Sequence, residues 1–112
     1  MMLHGGGLSW WNYRDEAEIL CDDYHVILPI IDGHADSGSQ FESIELVADK
    51  LIEYINSNCN GKIKVLCGLS LGAQIAVGPG CNSRKSLGVT VFGGMCCGLT
   101  AHSTKSYRLY DR

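Results

Sequence analysis

The chain has 112 residues, enough for one domain with a modest core and short for a large enzyme fold. Its 46% hydrophobic and 19% charged residues exclude a disordered chain, and a net charge of −3 removes the basic surface that nucleic-acid phosphates require. No apolar run approaches the ~20 residues that span a bilayer. Met1-Met2-Leu3-His4-Gly5 lacks the basic stretch and apolar run of a signal peptide, so a cytoplasmic protein is expected. Its six cysteines (Cys21, Cys59, Cys67, Cys81, Cys96 and Cys97) are then reduced. They form no CxxC pair and no zinc-finger spacing with histidine, so neither a metal nor a cofactor is implied.

In chain order, Met1 to His4 reads as the end of a buried strand running into three glycines. Ser9 is placed to cap a helix reaching about Leu20, with Trp10, Tyr13, Ala17 and Leu20 on one face. Tyr24 to Ile31 is a β-rich apolar run of strand length that stops at Asp32-Gly33. Ser39 and Glu42 have capping-box spacing. They precede a helix over Phe41 to Ile55, with Ile44, Val47, Ala48, Leu51, Ile52 and Ile55 at i, i+3, i+4 spacing and an acidic face left to solvent. Gly61 is its stop. Ile63 to Cys67 is a short buried strand, Gly68 opens a sharp turn, and Leu71 to Val77 begins another helix.

Alternating strands and helices predict an α/β fold with a mostly parallel sheet and flanking helices. Ligands of such sheets sit beyond the carboxyl ends of the strands. Three loops should meet there: Gly5-Gly6-Gly7, Asp32 to Ser39, and Gly68 to Gly72.

Charge divides the chain in two. Residues 1–77 hold 11 acidic and 4 basic residues, whereas residues 78–112 hold 1 acidic and 5 basic residues. The switch falls at Gly78-Pro79-Gly80, which interrupts any regular element. Residues 78–112 therefore read as a divergent Gly/Cys/Ser-rich basic tail.

Gly68-Leu69-Ser70-Leu71-Gly72 matches G-x-S-x-G between a predicted strand and a predicted helix. At so tight a turn, side chains two residues either side of the serine would clash, and the turn lifts Oγ above the sheet. His4-Gly5-Gly6-Gly7 follows the first strand, where an HGGG loop can give a backbone N–H to an oxyanion. A tetrahedral intermediate is held by two such donors, here the N–H groups of Gly6 and Leu71.

With these two motifs and Asp32-Gly33-His34-Ala35-Asp36-Ser37-Gly38 between them, the chain resembles the α/β-hydrolase family from about Met1 to Val77. The resemblance implies a serine hydrolase acting on a small ester, thioester or lactone. Ser70 is its nucleophile, and Leu71 and Gly6 are the oxyanion-hole donors. In this family the acid and then the histidine base follow the serine. Here 42 residues follow Ser70, with one histidine, His102, and one acid, Asp111, in reversed order. His102 is the weak candidate for the base. The expectation is a partial family member whose base and acid lie elsewhere, with a tail such as a frameshift after about Val77 produces. The alternative is an inactive fragment or a non-enzymatic interaction protein, open to self-association through an exposed sheet edge. His4 reads as a structural hydrogen-bonding residue, and His34 and Asp36 as loop-fixing residues. Asp32 precedes the serine and does not fit the acid. Cys67 reads as a packing thiol, and Trp10 and Trp11 as either pocket lining or core.

Overall fold

A computed structural model describes residues 1–78 together with the strand over 87–92. The described elements are β1 (Met2–Leu3), a 3-10 turn (Trp10–Tyr13), α1 (Arg14–Leu20), α2 (Ile44–Asn58), β2 (Ile63–Gly68), α3 (Leu71–Val77) and β3 (Leu87–Phe92). The three strands form one parallel sheet in the order β1-β2-β3. A small α/β domain is therefore present, as the alternation of elements predicts.

β2 is the central strand. It pairs with β1 at Met2↔Cys67 and Leu3↔Gly68, and with β3 from Ile63↔Leu87 to Gly68↔Phe92. The sheet thus continues past the charge switch at residue 78. α3 supplies the crossover between β2 and β3, packing on both β1 and β2. Leu3, Ile31 and Ile75 are fully buried at the centre. Val47, Ala48 and Ile55 of α2, Ile63 and Leu66 of β2, Ala76 of α3 and Met1 complete the core among the described residues. The stripe predicted for α2 is correct: Ile44, Leu51 and Ile52 are half-buried beside those three buried residues. Gly61 ends the helix at φ 71°, and its N–H bonds to the Ile55 carbonyl at 3.0 Å.

Three expectations are corrected. α2 starts at Ile44, not Phe41, and its cap is Ser43, whose Oγ accepts from Leu46 N–H at 3.2 Å. Ser39 is unavailable as a cap because its carbonyl closes the preceding loop, accepting from Gly33 N–H at 2.7 Å. Ser9 begins a 3-10 turn before α1 without a side-chain cap bond. On that stretch Tyr13, Ala17 and Leu20 are half-buried, but Trp10 and Trp11 are 43% and 52% exposed, so neither tryptophan is core.

The third correction concerns Tyr24 to Ile31, which contains no strand. The segment does run beside β1, and Met2 N–H bonds to the Ile27 carbonyl at 2.9 Å. In a parallel ladder the next bond would come from residue 29 back to Met2. Residue 29 is proline and has no N–H, so the ladder stops after one rung.

Candidate functional site

The register Leu3↔Gly68 ends β1 and β2 at the same sheet edge, so the loops that follow them emerge side by side. Leu69 N–H bonds to the Leu3 carbonyl at 3.0 Å, carrying the ladder one step into the turn. A Cβ built on Gly5 would lie 3.5 Å from the Leu69 carbonyl oxygen, and one on Gly6 would lie 4.0 Å from Leu71 Cβ. Gly6, Ser70 and Leu71, three of the four residues assigned to chemistry, are thereby brought together.

The turn depends on close backbone approach. A Cβ on Gly68 would land on the Gly72 carbonyl and 2.6 Å from Ala73 N. One on Gly72 would run into the Leu3 carbonyl and lie 2.7 Å from the His4 oxygen. The chain can therefore reverse from β2 into α3, and α3 can seat on β1, only with glycine at both positions. Between them Ser70 adopts φ 48° and ψ −108°, a backbone region that a residue with a Cβ rarely enters. Such a conformation costs about 1–3 kcal/mol and persists only where the surroundings impose it. Here the Gly72 N–H bond to the Leu69 carbonyl at 2.8 Å and the Gln74 N–H bond to the Ser70 carbonyl at 3.1 Å hold the turn on both sides. Ser70 is half-buried, and among the described residues no side chain hydrogen-bonds to its Oγ.

The third loop joins the same edge through His4. This side chain is fully buried, and both ring nitrogens are engaged. Nε2 accepts from Ile31 N–H at 3.0 Å, and Nδ1 lies 2.9 Å from the Gly5 carbonyl oxygen. Burial pushes its pKa below the usual 6.5, and the neighbouring His34 charge acts in the same direction, against the bond to Gly5. His34 packs edge-on against His4 at 5.2 Å between ring centroids, and its Nδ1 bonds to the Asp32 carbonyl at 2.9 Å. Asp32 forms an ion pair with Lys50 of α2 at 2.5 Å. The Asp32–Ser39 loop is further closed by Ser37 Oγ, which accepts from Gly33 N–H at 3.2 Å and donates to the Ser39 carbonyl at 3.1 Å. His4 and His34 thus stand as structural and loop-fixing residues.

Cys67 packs beside Met1, and burial pushes its thiol pKa up, away from the reactive thiolate. Ser9 is buried beside the glycine loop, and among the described residues its Oγ has no partner. His102 and Asp111 lie outside the described residues. Among the described residues there is no group of three or more metal-ligating side chains and no helix long and apolar enough to cross a membrane. Two local signals in the sequence mark these differences: Pro29 inside an apolar run, and Ser43 immediately before the helical stripe. The Asp32–Lys50 pair has no such signal, because it depends on how α2 docks.

No protein-family model matches the chain, and no curated protein does. Among solved structures, the chain is similar to a thermophilic esterase from Thermogutta terrifontis with malate bound, at a TM-score of 0.73 and 28% identity. The likeness covers 81% of this chain and 34% of that one, so this chain spans about a third of the esterase's length. An esterase-like fold is the result over that span.

Proposed function

We propose that the chain carries the nucleophile and oxyanion-binding part of a serine hydrolase of α/β-hydrolase type, acting on a small ester-like substrate. Ser70 Oγ attacks the carbonyl carbon. As the Oγ–C bond forms, the carbonyl π pair moves onto oxygen, where the Gly6 and Leu71 N–H groups receive the charge. Collapse then breaks the bond to the leaving group, which departs as the alcohol or thiol by taking up the proton that Oγ gave up, and leaves an acyl group on Ser70. The observation that carries this reading is the backbone of Ser70: φ 48° enforced by Gly68 and Gly72, beside a glycine loop on the same sheet edge. Strain of this kind at a chemically capable side chain is characteristic of functional sites. The similarity to an esterase supports the same class.

The Oγ proton needs a base, and no described side chain bonds to that oxygen. A second reading follows from that fact: an acyl-accepting half-site that turns over little without an added base. Removing triad members typically costs ~10⁴–10⁶ in rate. A fluorophosphonate probe on the full chain tests the nucleophile directly. Labelling that vanishes in Ser70→Ala is expected. A folded protein that is unlabelled, or labelled equally in the Ser70→Ala variant, contradicts the proposal. Labelling without turnover of short-chain esters selects the half-site.

A further inference from the structure

His4 precedes the glycine loop and has no part in the bond-forming steps above, yet it is among the most completely buried polar side chains described. Its two bonds fix its protonation. Ile31 N–H can only donate, so Nε2, 3.0 Å away, must be the bare nitrogen. The proton of the neutral ring is then on Nδ1, donated to the Gly5 carbonyl at 2.9 Å. One neutral imidazole therefore connects the loop after β1 to the start of the Asp32–Ser39 loop. This is the connection that the neighbouring backbone fails to make, because Pro29 ends the β1 ladder two residues earlier.

We propose that His4 is a positioning residue: neutral and protonated at Nδ1, it ties the Gly5–Gly7 loop to the Ile31 backbone, and acid releases that tie. A proton on Nε2 sets two N–H donors against each other across 3.0 Å in a fully buried site. A buried unmet donor costs about 1–3 kcal/mol, more when charged, so the bond to Ile31 opens and the loop loses its anchor. Among the described residues, the groups facing the ring offer no compensating anion. His34 lies edge-on from the Asp32–Ser39 loop, the Asp32 carboxylate is paired with Lys50, and Tyr13 directs its hydroxyl to the Leu3 carbonyl at 3.4 Å. Burial lowers the folded-state pKa below 6.5, so this contribution to stability is complete above 6.5 and is lost as pH falls from there through the folded value.

The catalytic consequence rests on the role proposed for Gly6, but the tie does not, and the test separates them. On the full chain with ¹⁵N-labelled histidine, two-bond ¹⁵N–¹H correlation should show His4 as the Nδ1–H tautomer, still neutral below 6.5. When it charges, the amide signals of Ile31, Gly5, Gly6 and Gly7 should shift with the same midpoint. An Nε2–H tautomer, or charging that leaves those amides unmoved, overturns the proposal. If Ser70 labels, the labelling rate should fall ~10²-fold across that midpoint, the scale of one lost oxyanion donor. His4→Gln, whose amide oxygen can accept from Ile31 N–H without titrating, should abolish that step. Full-rate labelling after His4 has charged overturns the link to Gly6. Absence of labelling at every pH counts against Ser70 as nucleophile, while the amide shifts still decide the tie.

Discussion

The turn over Gly68–Gly72 and the segment over Tyr24–Ile31 both border β1, and they differ in what their backbones can do there. The turn docks because two missing side chains let Gly68 meet Gly72 and let Gly72 meet Leu3. The segment lies parallel to the strand yet makes one backbone bond to it, because Pro29 lacks the donor for the next. In one place an absent Cβ permits contact, and in the other an absent N–H prevents it. Both are backbone properties written in single residues, and both outweigh the apolar patterns around them.

The contrast breaks most readily at Gly72. Gly72→Ala places a methyl against the Leu3 and His4 carbonyl groups, which are backbone and cannot move aside. A loss of about 3 kcal/mol is expected, the upper part of the usual overpacking range, read from the denaturant midpoint. A loss below about 0.5 kcal/mol, as for an ordinary surface change, would mean that α3 does not seat on β1 as described.

Ser70 offers a smaller effect of opposite sign. Ser70→Gly relieves strain of about 1–3 kcal/mol and adds about 0.5–1 kcal/mol of chain entropy in the unfolded state. A net gain in stability of about 1 kcal/mol is expected, together with complete loss of fluorophosphonate labelling. Ser70→Ala keeps the strain and should lose labelling without the gain. If the two variants are equally stable, the backbone at residue 70 is not strained.

The smallest effect sharpens the other side of the comparison. Pro29→Val restores an N–H opposite Met2 and should gain about 0.5–1.5 kcal/mol from one hydrogen bond. Loss of the proline constraint in the unfolded chain offsets about 0.4–1 kcal/mol of it. Stability should therefore change little, and hydrogen exchange should find a newly protected amide at residue 29. An unprotected amide would mean that something other than proline keeps the segment out of the sheet.

What the sequence makes legible follows the same division. β2, α3 and the stripe of α2 were readable because periodic apolar residues reach the core whatever the detailed docking, and Gly61 because a left-handed residue after a helix has one common use. The adjacency of Gly6 to Leu71 was readable from motif order and strand direction. The start of α2 was not, since Ser39 and Ser43 are both good caps and the choice depends on the Ser39 carbonyl closing a loop onto Gly33. The two bonds of His4 were not, since they need the position of Ile31, 27 residues away. The charge change at residue 78 did not foretell β3, because backbone pairing with β2 is indifferent to the net charge of its neighbourhood.

The central claim is that the turn presents Ser70 as a nucleophile toward a carbonyl held near Gly6 and Leu71. Its most direct test is to treat the full chain with a short activated ester, record the intact mass, and map any adduct by peptide digestion. One acyl group on Ser70, absent in Ser70→Ala, is the expected result. A folded chain that gains no acyl group, or that gains it on another residue and keeps it in Ser70→Ala, would contradict the claim.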